Sequence, residues 1–412
     1  MIDLAAWNRQ LILRLLISLA LFLTLPTSSV AANPSANPRP ALPDLVELQL
    51  SRLTLEEKIG QLFIITPDND WKTQIRAYRP GGFILFSRHA KDLDTTLRLL
   101  DQLRQQSTIL PFLAVDQEGG RVSRLPFATQ TPPTGNLAGL SDKAVKNLGQ
   151  LVGRELRVLG FNLNFAPVMD VDTCAENPVI GNRSFSADPY EVARLGRAYI
   201  QGLHLSGIAT AAKHFPGHGD THADSHLVLP TVNQPLERIE TVELLPFRAA
   251  VLAGTDFIMM AHVVYPALDS RPAWPASLSS AIITDVLRQE IGYSGLVITD
   301  AMNMKAITGR MPAGDAAKTA FLAGVDMILM PEDFPAAYKA LLDYVRSGEI
   351  PMTRLNASVR RILTLKARLA DSAEISLGER RQKAAAMVGS SEHTVWLRQI
   401  LHDAPELPES PK

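Results

Sequence analysis

The sequence predicts an α/β fold, a (β/α)8 TIM-type barrel formed by one domain, and three observations predict it. Eight short apolar runs, each of four to seven residues, alternate along the chain with longer segments of helical periodicity. The runs are too uniformly apolar to have a solvent-facing side, which is typical of parallel strands covered by helices on both faces. Eight such units within about 330 residues favour a closed barrel over an open doubly wound sheet. No Gly-x-Gly-x-x-Gly fingerprint follows any of the runs, which also argues against a dinucleotide-binding sheet.

The elements follow each other in the order that a barrel requires. The predicted strands are Gln61–Ile65, Gly82–Phe86, Phe112–Val115, Asn162–Val168, Ala209–Lys213, Phe257–Ala261, Leu296–Thr299 and Met327–Met330. The predicted helices are Leu93–Gln106, Ala144–Leu159, Pro189–Ser206, Leu236–Ala253, Ser280–Gly292, Asp315–Ala323 and Thr353–Leu369.

Composition excludes several classes of protein. Of the 412 residues, 46% are hydrophobic and 20% are charged, as in a chain with a folded core. Lys and Arg number 41 against 42 Asp and Glu, a net charge of −1, so no basic excess exists to bind a phosphate backbone and no nucleic-acid partner is expected. The single cysteine, Cys174, excludes an internal disulfide and a metal site built from several cysteines.

Residues 1–31 have the three parts of a secretory signal peptide. Arg9 and Arg14 precede an apolar run of 11 residues, 15–25, and small residues follow up to Ala32. The alternatives are a core helix or a membrane anchor, but spanning a bilayer takes about 20 apolar residues. We therefore expect an exported protein, periplasmic or secreted, with no stable membrane anchor after cleavage.

The remaining chain divides into three parts. Residues 32–45 form a proline-rich leader, of which residues 33–43 are expected to be extended, and residues 46–370 contain the barrel. From residue 371 to residue 412 the strand pattern is lost, which indicates a C-terminal helical extension followed by a frayed tail.

Polar residues stand where the predicted strands end. They are Asp116, Asp170, the pair Lys213-His214, His262 and Asp300. Each of them by itself could be a loop residue or a helix N-cap, which is common for Asp. The carboxyl ends of all strands in a barrel meet on one face, so we expect these side chains to converge there.

Four of the nine histidines fall within residues 214–226, and three interpretations of this segment compete. His218, His222 and His226 are spaced as metal ligands on one helical face, but the neighbouring glycines and proline argue against a helix. The segment could also be a solvated loop without function. The third interpretation is general acid/base catalysis by a loop histidine.

The third interpretation gives each of three residues a chemical role. Asp224 precedes His226 by two residues, close enough to orient its imidazole and keep the pKa of the ring near neutrality. Asp300, at the end of a buried strand, is the best candidate for the nucleophile. A carboxylate nucleophile with a separate proton donor is the arrangement of a retaining glycosidase.

Five sequence stretches together form a recognisable set of motifs. The first is Lys-His-Phe-Pro-Gly-His-Gly at residues 213–219, followed by Asp-Ser-His at 224–226. The others are residues 53–62, residues 114–124 with Asp-Gln-Glu-Gly-Gly-Arg, residues 164–171 with Asn-Phe-Ala-Pro-Val-Met-Asp, and residues 180–185 with Ile-Gly-Asn-Arg-Ser-Phe. From about residue 53 to residue 369 the chain thus resembles glycoside hydrolase family 3, in its β-N-acetylglucosaminidase branch.

The resemblance implies a retaining exo-β-N-acetylglucosaminidase with a single catalytic domain and no cofactor or metal. Asp300 would form a covalent glycosyl-enzyme, and His226, polarised by Asp224, would be the acid and then the base. The residues implied to hold the sugar are Asp116, Arg124, Arg183, Lys213 and His214. Peptidoglycan fragments are the implied substrates, and a monomer is expected.

Two departures from the family pattern bear on these roles. His89 stands where relatives often have asparagine, which concerns a peripheral contact. The sequence also ends soon after the barrel, whereas many β-glucosidases and β-xylosidases of the family have a second domain that supplies a glutamate acid. The acid is therefore expected from the barrel itself, which favours the Asp224–His226 pair.

Alternatives remain open beside this interpretation. A histidine acid does not repel an anionic acceptor as a carboxylate would, so a phosphorylase acting on N-acetylglucosaminides stays possible. A β-glucosidase or β-xylosidase, a zinc hydrolase using the histidine-rich loop and a non-catalytic sugar-binding barrel are further alternatives.

Overall fold

The computed structural model describes residues 42–68, 70–225, 227–370 and 375–402. From Leu42 onward these residues belong to one compact unit. The predicted signal peptide, His226 and the end of the predicted tail lie outside the described residues. Within the described ranges, no helix combines the length and the apolar character needed to cross a membrane.

Eight parallel strands form a nearly closed barrel, which confirms the predicted fold class. Each strand pairs with its neighbour in the sequence, and β8 pairs with β1. A parallel bridge between Ile298 and Met327 links β7 to β8. The strands are β1 Phe63–Ile65, β2 Gly82–Leu85, β3 Phe112–Val115, β4 Leu163–Asn164, β5 Ala209–Phe215, β6 Phe257–Met260, β7 Leu296–Thr299 and β8 Ile328–Leu329. Every strand residue is buried, as the uniformly apolar runs predict.

Strand β4 is shorter than the predicted range Asn162–Val168, because the backbone changes course after Asn164. Pro167 has no N–H to donate to the neighbouring strand, and the Ala166–Pro167 peptide bond is cis. The Ala166 and Pro167 carbonyl oxygens still accept from the N–H groups of Ala211 (3.1 Å) and Lys213 (3.2 Å), and Val168 forms an isolated parallel bridge with Lys213.

Strand β5 contains an extra residue at its carboxyl end. Lys213 pairs with Met259 and Phe215 pairs with Met260, so His214 has no partner in the register. Successive side chains of a regular strand point to opposite faces, and an inserted residue disturbs that alternation. Both Lys213 and His214 can therefore face the same cavity, as they do here.

The helices cover the outside of the barrel. All seven predicted helices are present, and each of their bounds lies within two residues of the prediction. They are Leu93–Gln106, Asp142–Leu159, Pro189–Leu205, a helix from Leu236 to Leu252 with a π-helical segment at Ile239–Glu243, the π-helical Ala281–Glu290, Ala313–Ala323 and Met352–Leu369. Helices that the sequence analysis missed are Leu42–Arg52, Leu55–Gly60, Trp71–Tyr78, Lys305–Thr308 and Phe334–Arg346.

The helix Leu42–Arg52 corrects part of the predicted leader. It begins inside the range 32–45, so Leu42 and Pro43, at the end of the segment predicted to be extended, are helical. Pro43 lies in the first turn of the helix, where its missing N–H costs no hydrogen bond. Glu47 on this helix accepts a hydrogen bond of 3.1 Å from Arg360 on the helix Met352–Leu369.

Two helices occupy the described part of the predicted C-terminal extension and pack on the barrel helices. They span Leu377–Met387 and Ser391–His402. The buried carboxylate of Glu155 accepts hydrogen bonds from the Gly389 N–H (3.0 Å) and from His393 Nδ1 (2.8 Å). This anchors the extension to the helix Asp142–Leu159.

Candidate active site

Four of the six polar residues at the strand ends converge on one cavity, as the sequence predicts. A cavity of about 560 Å³ opens at the carboxyl ends of the strands, and Asp116, Lys213, His214 and Asp300 all line it. Arg124, Arg183 and Asp224 line the same cavity. Seven of the eight sequence-predicted site residues therefore share one cavity, and the eighth, His226, lies outside the described residues.

Asp300 directly follows β7 and has the environment of an ionised carboxylate. Its backbone N–H donates to Met260 O on the neighbouring strand (3.0 Å), and Oδ1 accepts from the Ala301 N–H (2.7 Å). Burial works to raise the pKa of Asp300, but the imidazoles of His214 and His262, the Ala301 N–H and Lys213 together lower it below its ordinary value. An ionised oxygen in a cavity is what a nucleophile requires.

His262, another of the strand-end residues, supports the backbone next to Asp300. Its side chain is fully buried, and Nε2 donates to the Ala301 carbonyl oxygen (3.1 Å) while Nδ1 lies 2.7 Å from the Ser277 hydroxyl. His262 thereby holds the backbone immediately after Asp300, and it does not line the cavity.

The Lys213 ammonium contacts the carboxylates of Asp116 and Glu118, both in the segment that follows β3. Its Nζ lies 2.6 Å from Asp116 Oδ1 and 2.6 Å from Glu118 Oε1. The Lys213 side chain is 3% exposed and that of Asp116 16%, so Asp116 is the partner open to a ligand. Burial works to lower the pKa of Lys213, but Asp116 and Glu118 raise it, so the ammonium stays charged.

Glu118 forms the centre of this charge network. Besides Lys213, it accepts two hydrogen bonds from Arg183, 2.8 Å from Nε and 2.9 Å from Nη2. Burial works to raise the pKa of Glu118, but Lys213 and Arg183 hold it well below its ordinary value. The sequence analysis assigned no role to Glu118, although its place two residues after Asp116 in the motif was a usable signal.

Arg183 is engaged with Glu118 in a way that the sequence did not predict. Its Nη1 also donates to the Val179 carbonyl oxygen (3.2 Å), so most of its hydrogen-bonding capacity is satisfied within the protein. The side chain is 12% exposed and lines the cavity. A direct contact of Arg183 with substrate stays a prediction.

Asp170 holds the extra residue of β5 in place. Its Oδ2 lies 2.7 Å from His214 Nδ1, and its Oδ1 accepts from the backbone N–H groups of His214 (3.1 Å) and His218 (2.8 Å). Because the Asp170 carboxylate accepts from Nδ1, the other ring nitrogen of His214 remains for a ligand. Sequence reasoning placed Asp170 at a strand end without giving it this role.

His218 is a structural histidine of the loop. Its side chain is buried, and its two ring nitrogens each lie 2.9 Å from a hydroxyl, Thr221 Oγ1 and Ser225 Oγ. Burial, with His214 adding to it, lowers the pKa of His218 to about 4, so the ring is neutral at pH 7. With both nitrogens engaged, His218 does not fit the three-histidine metal site that the sequence left open.

Arg124 brings an unsatisfied donor to the cavity. Its backbone N–H donates to Gln117 Oε1 (2.9 Å), and its guanidinium lies 5.6 Å from the centre of the Phe86 ring. Buried Nε has no hydrogen-bond partner within the described residues. An unpaired buried donor is costly, so a bound ligand that accepts from Nε would be favoured.

Asp224 and Ser225 line the cavity from the histidine-rich loop. The Asp224 carbonyl oxygen accepts from the N–H groups of Leu227 (2.9 Å) and Val228 (3.0 Å). The pairing of Asp224 with His226 stays a prediction. His89, the departure noted in the sequence, binds Asp68 through Nε2 (3.1 Å) and does not line the cavity.

A candidate metal cluster lies beside the cavity. Among the described residues, Cys174, Glu176 and His222 bring one ligand atom each to within 4.8 Å of one another. These residues do not line the active-site cavity. Of the two described histidines that the sequence considered as ligands, His218 and His222, the cluster contains His222.

The barrel and its cavity agree with the comparisons to known proteins. The model of the glycosyl hydrolase family 3 N-terminal domain matches residues 54–365. The chain therefore belongs to glycoside hydrolase family 3, as the sequence motifs indicated.

Three relatives indicate which enzymes the chain is similar to. The chain is 37% identical over 328 residues to β-hexosaminidase A of Pseudoalteromonas piscicida, covering 72% of this chain and 55% of that protein. It is 35% identical over 295 residues to the β-hexosaminidase of Idiomarina loihiensis, covering 70% of this chain and 86% of that protein. A family 3 β-N-acetylglucosaminidase from Paenibacillus sp. str. FPU-7 has a similar structure, with a TM-score of 0.79 and 36% identity over 85% of this chain and 69% of that one. The chain thus spans little more than half of the first relative and most of the second.

Proposed function

We propose that this chain is a retaining exo-β-N-acetylhexosaminidase that removes terminal non-reducing N-acetylglucosamine from β-glycosides. The observation that carries the proposal is the position of Asp300, whose pKa is lowered, in one cavity with Asp116, Lys213 and Asp224. The names of the relatives support the sugar that is released.

The first half of the proposed reaction forms a covalent glycosyl-enzyme. An Asp300 oxygen attacks the anomeric carbon while the bond from that carbon to the leaving oxygen breaks. The leaving oxygen takes a proton from His226, and the electron pair of the broken bond stays on that oxygen. Asp300 becomes neutral as an ester, and His226 becomes neutral imidazole.

The second half releases the sugar with retained configuration. Neutral His226 takes a proton from water, whose oxygen attacks the anomeric carbon and displaces the Asp300 carboxylate. Asp224 orients His226 and favours its protonated form. Because the acid becomes the base, a pKa near neutrality suits both steps.

The charge network around Glu118 positions the groups that hold the sugar. Asp116 accepts hydrogen bonds from hydroxyl groups, with Lys213 holding its carboxylate at 2.6 Å. Arg124 donates to a remaining sugar oxygen through its unpaired Nε, and the free ring nitrogen of His214 accepts from a hydroxyl group. Glu118 contacts Lys213 directly, and Arg183 in turn holds Glu118 through two hydrogen bonds.

The wider role remains part of the proposal. We propose peptidoglycan or muropeptide fragments as substrates, a monomeric enzyme without a metal in the reaction, and export to the periplasm or medium through residues 1–31.

Hydrolysis of an aryl β-N-acetylglucosaminide, compared with an aryl β-glucoside, tests the activity. We expect turnover of the first substrate to exceed that of the second, and Asp300→Asn to lower kcat/KM by at least about 1,000-fold. The matched control is Asp343→Asn, an exposed helix carboxylate that forms an ion pair with Lys339, which should retain full activity. A fluorinated, slowly hydrolysed analogue should add its glycosyl mass to the peptide that contains Asp300.

Three results would contradict the proposal. Full activity of Asp300→Asn would show that Asp300 is not the nucleophile. Sugar binding without turnover would indicate a non-catalytic, sugar-binding barrel. Phosphate that accelerates the reaction and yields a sugar 1-phosphate indicates a phosphorylase.

A further inference from the structure

The loop after β4 and the loop after β5 bring three metal-ligating side chains together outside the catalytic cavity. Cys174 Sγ lies 3.2 Å from His222 Nδ1 and 3.7 Å from Glu176 Oε2. Cys174 is buried, whereas Glu176 and His222 are exposed, so the cluster is open to solvent on one side. Neither the proposed reaction nor the sugar contacts use any of these three residues.

The spacing of the ligand atoms fits a zinc ion. Zinc binds sulfur at about 2.3 Å and imidazole nitrogen or carboxylate oxygen at about 2.0–2.2 Å, in tetrahedral geometry. Two such ligands of one tetrahedral ion are roughly 3.5 Å apart. The distances from Cys174 Sγ to the other two ligand atoms, 3.2 Å and 3.7 Å, lie on either side of this value. Thiol, imidazole and carboxylate together are a ligand set that suits zinc better than magnesium or calcium.

The two loops are already held in register by hydrogen bonds. Asn177 Nδ2 donates to the carbonyl oxygens of His218 (2.8 Å) and Gly219 (3.0 Å), and Thr173 Oγ1 donates to Asp220 Oδ1 (2.9 Å). The ligand atoms are therefore brought together by contacts that do not involve them. Such pre-organisation lowers the cost of binding an ion.

We propose that Cys174, Glu176 and His222 form a Zn²⁺ site, with water as the fourth ligand, and that its occupancy inhibits the enzyme. Binding converts the Cys174 thiol to a zinc-bound thiolate and releases one proton to the solvent, while the imidazole and the carboxylate replace water on the ion.

The position of His222 explains the inhibition. It precedes Asp224 by two residues and His226 by four, so the ion ties the segment with the proposed acid and base to the loop after β4. Pro178 and Val179 of that loop line the catalytic cavity. A tether here restrains the segment that must deliver a proton to the leaving oxygen. The inhibition rests on the proposed function, whereas the binding does not.

Zinc titration of the untagged, full-length chain tests the binding. We expect one ion per chain, release of one proton, and a loss of affinity of about 100-fold or more in Cys174→Ser and His222→Gln, because removing even an outer partner of a metal ligand costs 10–100-fold. His222 is exposed, so its replacement should not disturb folding. His402→Gln, at an exposed helix end, is the matched control and should bind as the unaltered chain does.

Cobalt gives a second, independent readout. Co²⁺ at the site should produce the sulfur-to-cobalt charge-transfer absorption in the near ultraviolet, and Cys174→Ser should abolish it. Absence of stoichiometric binding, or binding that Cys174→Ser leaves unchanged, would overturn the site.

Hydrolysis measured with and without zinc tests the regulation. Without zinc, Cys174→Ser and His222→Gln should hydrolyse the aryl β-N-acetylglucosaminide as the unaltered chain does. With saturating zinc, kcat should fall at least about 5-fold in the unaltered chain and remain constant in both variants, a barrier increase near 1 kcal/mol. Stoichiometric binding through Cys174 without a change in kcat would overturn the inhibition and leave the site standing. Absence of hydrolysis in every sample would instead contradict the proposed function.

Discussion

Replacing Glu118 by glutamine should destabilise the protein and weaken catalysis together. The substitution keeps the shape of the side chain but removes the charge that Lys213 and Arg183 share. Their side chains are 3% and 12% exposed, and that of Glu118 is 2% exposed, so solvent screens the loss poorly. Breaking a buried charge pair by removing one partner costs about 3–5 kcal/mol.

The size of the effect can be expressed as a melting temperature. With about 360 folded residues, the entropy of unfolding near the midpoint is roughly 0.75 kcal/mol/K, so a loss of about 3 kcal/mol lowers Tm by about 4 °C. Calorimetry at pH 7 measures this shift. Glu349→Gln, which removes an exposed partner of Lys318, is the matched control and should leave Tm unchanged.

The same carboxylate makes stability depend on pH. Because the folded state lowers the pKa of Glu118, the stabilisation is present above the ordinary pKa of a glutamate and is lost as the pH falls below it. The Tm difference between the unaltered protein and Glu118→Gln should therefore become smaller as the pH is lowered from 7 to about 3. The lower end of this range lies below the ordinary pKa of a glutamate, which is about 4.3. Equal melting temperatures of the two proteins at pH 7 would refute the assignment of Glu118 as the charge that balances Lys213 and Arg183.

Three further predictions concern the proposed catalyst. His226→Ala should slow the hydrolysis of substrates with poor leaving groups far more than that of activated aryl glycosides, since only the former need the proton. Equal losses of rate for both substrates would show that His226 is not the acid. Arg124→Gln should lower kcat/KM by about 10–100-fold, because a charge-assisted hydrogen bond to the substrate, of about 1.5–3 kcal/mol, is lost. The substitution should not lower Tm, because the buried Nε has no partner to lose within the described residues. The exported protein should begin near Ala32, which N-terminal sequencing checks; a chain still starting at Met1 would contradict the signal peptide.

Strand and helix patterns predicted most of the fold because they are local. The run Phe112–Val115 is apolar at every position, and its bounds as a strand are those of the structure. Local signals were also overlooked: Thr54 and Glu57 form a capping box at the start of the helix Leu55–Gly60, a pattern that the sequence displays.

The extra residue in β5 could not be predicted in the same way. The sequence places Lys213 and His214 side by side, which in a regular strand would direct them to opposite faces. The pairing of β5 with β6 leaves His214 without a partner, and Asp170 from the segment after β4 then binds its ring. Both contacts depend on neighbouring strands, so they exist only in the assembled barrel.

The sequence by itself determined the barrel, the family and the identity of the catalytic candidates, because periodicity and motif spacing are properties of the chain. Tertiary structure alone decided which charges meet: Glu118 between Lys213 and Arg183, and Cys174 beside His222 from a different loop. Such pairs join residues 48 to 95 positions apart. Their energies come from burial and from distances of a few ångströms, which the folded chain sets and the order of residues does not reveal.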